Sequence, residues 1–322
     1  MKNLILKIKN KYLFFTKNFG KVFLLILILF LFLILIYFYT DVVSDKKLIV
    51  RFLDIGQGDS ILIKTPDNKN ILIDAGQNEK ALNKVEKYIS IFSKNIDLAI
   101  MSHPDMDHIG GYYDIFQKYN IRQILENGDN NKDNPAYQFL KEKIEGNIDQ
   151  YNIKKILANC GDKIIFGDNE DFVSMYILHP VKEELIINDS NDNSIVILLV
   201  YKDYSFLFTG DAGKDVEQKL FFDIKRCFND KDAYIIEKVL AKLTVLKVSH
   251  HGSDTGNSEA SLKKIRPVYN IVSVGENNKY GHPKEEVLKT LNKYSKNTLT
   301  TIEKGDIAFI IKDNDLQLEF EK

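Results

Sequence analysis

Two of the six histidines in this 322-residue sequence enclose a run of metal-type side chains, Ser102-His103-Pro104-Asp105-Met106-Asp107-His108. The run offers two imidazoles and two carboxylates within a few positions. Nitrogen and oxygen ligands without a thiolate suit zinc or manganese. His103 and Asp105 lie two apart on one side of an extended turn and can reach one metal ion. Asp107 and His108 follow at once and can reach a second.

Two later clusters end predicted buried strands. The strand at 205–209 leads into Gly-Asp at Asp211, and the strand at 244–248 leads into His250 and His251. One such strand end means little, but three in one chain predict a common site. An Asp-rich surface turn with incidental histidines is the alternative for the first run, and the later clusters disfavour it. Asp211 is expected to bridge both metals, and one of the paired histidines is expected to complete the second.

These motifs resemble the metallo-β-lactamase superfamily and, within it, the ComEC-type branch, named for the nuclease-like domain of DNA-uptake competence proteins. The matching segments are Asp54 to Ser60, Leu72 to Gly76, Ser102 to Gly111, Asn191 to Ser194, Thr209 to Asp211, Lys247 to Ser253 and Gly281 to Pro283. The resemblance covers the chain from about residue 50 onward. It implies an α/β fold of the αββα sandwich type, two bound divalent metals, and DNA as the substrate.

The sequence departs from the superfamily pattern at two ligand positions. Asp105 stands where a second histidine is usual, and the segment 191–193 stands where a middle histidine is expected. Both departures are similar to the ComEC-type branch, so they argue against an ordinary lactamase or thioesterase. A site richer in oxygen is harder, which makes Mn²⁺ an alternative to Zn²⁺.

The expected metal ligands are His103, Asp105, Asp107, His108, Asp211 and His251. His251 is preferred over His250 because it precedes Gly252, as the ligand does in related His-Gly ends. The expected chemistry is phosphodiester hydrolysis, in which two metals lower the pKa of a bound water to about 7 and polarise the phosphoryl oxygen. Asp107 or Asp211 is the expected proton acceptor.

Six further residues are assigned to substrate contact or to support of the ligands, namely Asp74, Asn193, Lys247, His250, Ser253 and His282. Asp74 is expected to support a ligating imidazole, since metal-bound histidines need such a partner. His282 lies in a Gly-His-Pro segment like that of the branch, although a capping or core role is the alternative. Ser253 is a candidate donor to a phosphate oxygen, although an ordinary loop serine is the alternative. Asp59 is attributed to turn chemistry beside glycine.

Residues 22–39 form an uncharged apolar segment long enough to span a bilayer. Six lysines and no acidic residue precede it, so the positive-inside rule predicts a cytoplasmic tail at 1–21. The hydrolase domain, 40–322, is then outside the cell membrane. A signal peptide cleaved near 42–44 is the alternative, but its apolar core would exceed the usual length of about 7 to 15 residues.

The remaining pattern predicts two runs of strands, each followed by helices, as expected of two face-to-face sheets under outer helices. The predicted strands are 48–55, 60–65, 70–74, 96–102, 194–201 and 205–209, and the predicted helices are 79–93, 109–119, 215–240 and 284–294. A hydrophobic content of 44% provides an ample core. Cys160 and Cys227 match no thiolate metal spacing and are expected to be ordinary core or surface residues, with a disulfide left open.

Charge bears on the substrate. Without the six N-terminal lysines, 38 basic and 45 acidic residues remain, a net charge of −7. A nuclease that holds a long duplex usually has a basic surface, so this domain would depend on its metals and on lysines such as Lys247, Lys263 and Lys264. Two alternatives therefore stay open: a hydrolase of small or envelope phosphodiesters of the phosphocholine or teichoic type, and a non-catalytic receptor for DNA or envelope polymer. No stable protein partner is inferred.

The charge asymmetry around the apolar segment predicts the sidedness of the domain. Protease added to intact cells should remove residues 40–322, because the positive-inside rule leaves them outside. Immunoblotting against the domain measures the loss, with a cytoplasmic protein as the control. A domain that is digested in lysate but fully protected in intact cells would reverse the predicted orientation.

Overall fold

The computed structural model of the chain describes residues 2–42, 46–90, 93–129, 135–168, 171–185, 189–276, 278–295 and 297–322. The chain divides into two units, residues 1–45 and residues 46–322. The strands of the described residues are β1 (Lys47–Phe52), β2 (Ile61–Lys64), β3 (Asn70–Ile73), β4 (Asn95–Ile96), β5 (Leu98–Met101), β6 (Asn120–Ile121), β7 (Gln123–Glu126), β8 (Lys154–Leu157), β9 (Lys163–Phe166), β10 (Val173–His179), β11 (Val196–Tyr201), β12 (Tyr204–Phe208), β13 (Val245–Lys247), β14 (Tyr269–Val272), β15 (Asn297–Thr300), β16 (Ile307–Lys312) and β17 (Asp315–Phe320). The helices are α1 (Lys2–Val42), α2 (Lys80–Tyr88), α3 (Met106–Ile109), α4 (Tyr112–Lys118), α5 (Pro135–Tyr151), α6 (Lys214–Phe222), α7 (Asp230–Leu240), α8 (Glu259–Ile265), α9 (Glu285–Tyr294) and α10 (Thr301–Lys304).

The second unit is built on two mixed sheets. Sheet 1 has the strand order β17-β16-β1-β2-β3-β5-β7-β8, and sheet 2 has the order β15-β14-β13-β12-β11-β10-β9. The strands β3, β5, β7 and β8 run parallel, as do β12, β13, β14 and β15. Since the carboxyl ends of parallel strands share one edge of a sheet, the loops that follow β3 and β5 leave sheet 1 together, and those that follow β12, β13 and β14 leave sheet 2 together.

Three apolar layers hold the sheets and helices together. The central layer combines residues of both sheets, and in it Phe52 contacts Phe208 and Phe206 contacts Phe309, with ring centroids 6.2 and 5.7 Å apart. A second layer packs α2, α4 and α5 on sheet 1, and a third packs α6, α7, α8 and α9 on sheet 2. This helix-sheet-sheet-helix arrangement is the predicted αββα sandwich, and the prediction of fold class is confirmed.

The first unit is the helix α1. Its segment Phe19–Ile36 has a mean hydropathy of 3.1, and none of that segment is buried. An apolar surface of this extent is unfavourable in water by about 25 cal/mol for each Å² exposed, and a bilayer removes that penalty. The segment is therefore a candidate membrane span, and it overlaps the predicted span at 22–39. Residues 43 and 44 of the alternative cleavage site lie outside the described residues.

Three sequence expectations differ from the structure. The predicted helix at 215–240 is two helices, α6 and α7. The predicted helix at 109–119 corresponds to α4, and Gly110 and Gly111 separate it from the short helix α3. These glycines lie against backbone, since a Cβ on Gly111 would be 2.1 Å from the carbonyl oxygen of Ala75. Cys160 and Cys227 are not ordinary unpaired residues but form a disulfide, with Cα atoms 5.5 Å apart. Their separation of 67 residues hides the contact from the sequence.

Candidate metal centre

Strand ends from both sheets bring the metal-type side chains together. The run 102–108 follows β5 of sheet 1, and Asp74 follows the neighbouring β3. Asp211 follows β12 of sheet 2, and the paired histidines follow β13. Both sets of loops meet at one edge of the sandwich. The site is therefore composed of residues that are distant in sequence, each of which lies just after the carboxyl end of a parallel strand.

Asp211 lies at the middle of the cluster. Its Oδ1 is 3.3 Å from His108 Nε2, and its Oδ2 is 3.6 Å from His251 Nε2 and 3.9 Å from His103 Nε2. His251 Nε2 is also 3.5 Å from Asp107 Oδ2. Two ligand atoms bound tetrahedrally to one zinc ion lie about 3.4 Å apart when each bond is about 2.1 Å. The distances thus match the spacing of atoms that share an ion.

The same atoms lack hydrogen-bond partners. Nε2 of His103, His108 and His251 and Oδ1 of Asp211 are buried and unpaired within the described part of the chain. Leaving a buried polar atom without a partner costs roughly 1–3 kcal/mol. Four such atoms in one cluster fit a divalent cation, which would compensate all of them. Groups of three from this set, one of them including Asp107, have ligand atoms within 4.8 Å of one another.

Hydrogen bonds to Nδ1 orient the imidazoles of His108 and His251. His108 Nδ1 lies 2.8 Å from Asp74 Oδ2, and His251 Nδ1 lies 2.9 Å from the carbonyl oxygen of Ser273. When Nδ1 carries the proton and donates it to these oxygens, the lone pair of Nε2 faces the cluster. Asp74 is itself fixed, because it accepts hydrogen bonds from the backbone N–H and the hydroxyl of Ser102 at 2.8 and 2.6 Å.

Burial and neighbouring charge set the protonation of the cluster. Burial, together with the adjacent His108, lowers the pKa of His103 to about 3. Its imidazole is therefore neutral near pH 7 and able to bind a metal. Burial alone would raise the pKa of Asp211, but the positive charge of His108 and His251 in their protonated forms holds it well below its usual value, and a bound cation would take over that effect when the imidazoles are neutral ligands. Asp211 is consequently an ionised carboxylate.

The paired histidines occupy an unusual backbone conformation. His250 and His251 have φ values of 48° and 53°, in the left-handed region that non-glycine residues rarely adopt. Such residues cost about 1–3 kcal/mol each and accumulate at functional sites. The turn aims both rings at Asp211, because His250 Nε2 is also 3.7 Å from Asp211 Oδ2. His250 is partly exposed and its Nδ1 lies 3.0 Å from Thr255 Oγ1, whereas His251 is buried.

The remaining predicted residues border the cluster. Asp105 Oδ2 is 3.8 Å from His103 Nε2, and its Oδ1 accepts a hydrogen bond from Ser190 at 2.7 Å. Asn193 directs its amide to Asp129 Oδ2 at 2.8 Å. Ser253 is buried.

The Ser253 hydroxyl oxygen accepts a hydrogen bond from the Thr255 hydroxyl at 3.1 Å. His282 contacts the cluster through His250, with ring centroids 5.6 Å apart. Ser253 and Asn193 thus serve the loops around the centre.

A buried ion pair lies behind the cluster, and sequence reasoning missed it. Lys247 is 1% exposed, and its ammonium contacts Asp59 and donates to the carbonyl oxygen of Gly210 at 3.1 Å. Of the two roles expected of Lys247, contact with substrate phosphates is wrong, because the side chain does not reach the surface, whereas support of the ligands agrees with its ammonium lying 3.8 Å from Asp211 Oδ1. Attributing Asp59 to turn chemistry alone is also wrong. A lysine inside the apolar strand β13 was the available signal, since a buried ammonium requires an anionic partner.

Glycine brings Asp59 to this position. Gly58 has a φ of 112°, and a Cβ there would lie 2.0 Å from the carbonyl oxygen of Asp107. The Asp59 N–H donates to that same oxygen at 3.2 Å. Asp59 then lies 3.7 Å from His251 Nδ1 and 3.8 Å from His108 Nδ1. The Gly-Gln-Gly-Asp loop therefore packs directly against the metal-type run.

The αββα sandwich and the His/Asp cluster at one edge of its sheets are features of a superfamily of metal-dependent hydrolases. The chain belongs to the metallo-beta-lactamase superfamily, whose family model matches residues 53–276. The match includes all of the expected metal ligands, and it confirms the predicted superfamily.

The chain is 27% identical over 284 residues to ComE operon protein 3 of Bacillus subtilis (strain 168) and 26% identical over 272 residues to Competence protein ComA of Neisseria gonorrhoeae. These alignments cover 82% and 84% of this chain and 33% of each relative, so the chain spans about a third of their length. The predicted resemblance to the ComEC-type branch is confirmed. Among solved structures, a long form RNase Z from yeast is similar with a TM-score of 0.42 at 10% identity, covering 80% of this chain and 41% of that one.

The buried ion pair predicts a large stability effect at Lys247. Lys247→Met should lower the free energy of unfolding by roughly 3–5 kcal/mol, because it leaves the Asp59 carboxylate buried without its cation. Urea unfolding measures the change. The double variant Lys247→Met/Asp59→Asn should recover part of the loss, and the exposed control Lys242→Met should change stability by less than about 0.5 kcal/mol. A loss below about 1 kcal/mol in the single variant would show that the pair is unimportant.

Proposed function

We propose that this chain is a metal-dependent phosphodiesterase that hydrolyses DNA on the outer side of the cell membrane. The observation that carries the proposal is the group of buried, unpaired Nε2 and carboxylate oxygen atoms around Asp211. Similarity to a competence protein over most of this chain supports DNA as the substrate.

The residues suit two divalent ions, Zn²⁺ or Mn²⁺. One would be held by His103, Asp105 and Asp211, and the other by Asp107, His108, His251 and Asp211. Bound there, such ions supply an activated water and polarise a phosphoryl oxygen. The protein itself holds Asp211 ionised between the imidazoles and fixes the direction of each Nε2 from behind.

Asp107 is the better placed of the two candidate proton acceptors. Its side chain is 27% exposed, whereas that of Asp211 is 4% exposed. His251 and His108 keep the pKa of Asp107 below its usual value against the opposing effect of burial, so it is ionised and able to accept a hydrogen bond from the attacking water. A proton that reaches Asp107 can pass to solvent, which buried Asp211 does not contact.

Two features support an extracytoplasmic location. The lysine-rich segment before the candidate span favours a cytoplasmic N-terminus. The Cys160–Cys227 disulfide is typical of proteins in oxidising compartments and rare in the cytosol.

A second candidate function is hydrolysis of a small or envelope phosphodiester. The net charge of −7 on residues 22–322 favours it, because a small substrate needs no extended basic surface. Both candidate functions use the same metal ligands, and they differ in the groups that the substrate carries on either side of the phosphodiester.

The ligand assignment is tested at Asp211. Asp211→Asn and Asp107→Ala should each lower turnover of single-stranded DNA and of bis-p-nitrophenyl phosphate by more than about 100-fold, because both remove a charged ligand. Metal content of the full chain in detergent, measured by mass spectrometry, should fall in parallel. Asp254→Asn, an exposed change three residues from His251, is the matched control. Retention of metal and activity by Asp211→Asn would contradict the bridging role.

Salt dependence separates the two substrates. With few phosphates neutralised, we expect the affinity for single-stranded DNA to fall with salt at a logarithmic slope shallower than about −2. Hydrolysis of bis-p-nitrophenyl phosphate should vary less over the same range. Brisk hydrolysis of small diesters or phosphocholine esters, with DNA of every form left intact in both Zn²⁺ and Mn²⁺, would replace the nuclease proposal with the second candidate.

A further inference from the structure

A series of aromatic rings runs from the surface to the candidate metal centre. Tyr280 stacks on His282 with ring centroids 5.8 Å apart and planes 13° apart. His282 meets His250 edge to face at 5.6 Å, and His250 meets His251 in the same way at 6.2 Å. Tyr280 is therefore connected by packed rings to the cluster around Asp211. We call Tyr280 and His282 the outer pair.

The loop that carries the outer pair is fixed relative to the centre. The Asn278 amide donates to the His282 carbonyl oxygen at 2.7 Å, and Asn278 Oδ1 accepts from the His282 N–H at 2.9 Å. The Lys284 N–H donates to the carbonyl oxygen of Gly252 at 2.9 Å. A Cβ on Gly252 would lie 2.6 Å from Pro283 Cβ, so the loop packs closely against the residue that follows His251.

Tyr280 is 61% exposed although one face of its ring lies against His282. The contact with His282 therefore leaves most of Tyr280 accessible to a ligand. Lys279 and Lys284 flank the ring in sequence, and the Lys284 ammonium donates to the Tyr280 carbonyl oxygen at 2.8 Å. The exposed acidic residues nearby, Glu276, Glu285 and Glu286, leave this surface without a basic excess. Such a surface favours contact with a base over a grip on duplex phosphates.

We propose that the outer pair is a stacking platform for one unpaired base of a DNA strand whose adjacent phosphodiester lies at the metal centre. A free aromatic face stacks on any base, whereas a base within a duplex is already stacked on its neighbours. The inference rests on the proposed function and narrows it to single strands, strand ends or flipped nucleotides. Tyr280 is then a residue that determines substrate form, distinct from the groups that hold metal.

The platform is tested by binding of the metal-loaded protein to strands with phosphorothioate linkages, which resist hydrolysis and so remain intact. The full chain in detergent is titrated into a fluorescent single-stranded oligonucleotide and into an abasic strand of the same length, and anisotropy gives each Kd. Tyr280→Ala should raise the Kd for the base-containing strand about 10-fold and leave the Kd for the abasic strand unchanged. Tyr280→Phe, which keeps the ring, should bind as the wild type does. Tyr234→Ala, at a tyrosine 65% exposed on α7, is the matched control.

Four results would overturn the platform. Tyr280→Ala could weaken binding of both strands equally or have no effect, and the wild-type protein could bind neither strand or bind the abasic strand equally well. The proposed function fails separately. If Tyr280→Ala behaves as expected while the wild type hydrolyses neither DNA nor bis-p-nitrophenyl phosphate with Zn²⁺ or Mn²⁺, the platform stands and the hydrolase proposal does not.

Discussion

Negative charge is concentrated at a buried junction between two sheets, and the rest of the domain is arranged around it. Asp59, Asp74, Asp107 and Asp211 converge there, with Lys247 as the buried ammonium among them. Carboxylates this close repel one another in a low-dielectric interior. Because Asp211 comes from sheet 2 and the other three from sheet 1, that repulsion acts across the apolar layer that joins the sheets. Divalent cations at this point would draw the sheets together, so metal binding and folding stability are expected to be coupled.

Much of the site can be predicted from the sequence because metal binding restricts the residue types at each ligand position. Histidines and aspartates after apolar strands identify the run at 102–108, Asp211 and His251 without any knowledge of the fold. The buried ion pair between Asp59 and Lys247 cannot be predicted in this way. Asp59 looks like an ordinary turn residue, and although Lys247 stands out within an apolar strand, the sequence does not show which carboxylate pairs with it. Their contact depends on how β13 of sheet 2 faces the loop after β1 of sheet 1.

For the fold as well, features set by the local sequence were predictable, and features set by contacts between distant segments were not. The strands that lead into the motifs, β3, β5 and β12, were predictable from short apolar runs. The outer strands β9 and β17 were not predicted, since they alternate between exposed and partly buried residues and form sheet edges. The close approach of Gln77 and Ala75 to Gly110 and Gly111, between α3 and α4, also escaped prediction, because it joins parts of the chain that are distant in sequence.

The position of β1 has a consequence for how the protein is made. This strand follows the candidate membrane helix directly, yet it lies inside sheet 1, paired on one side with β2 and on the other with β16. Leu48 is opposite Ile311, so one edge of β1 has no partner until β16 has been synthesised. An unpaired apolar edge is a template for wrong pairing. The ribosome-bound chain thus carries an open strand edge from the synthesis of β1 until that of β16, and sheet 1 closes only after β16 has emerged.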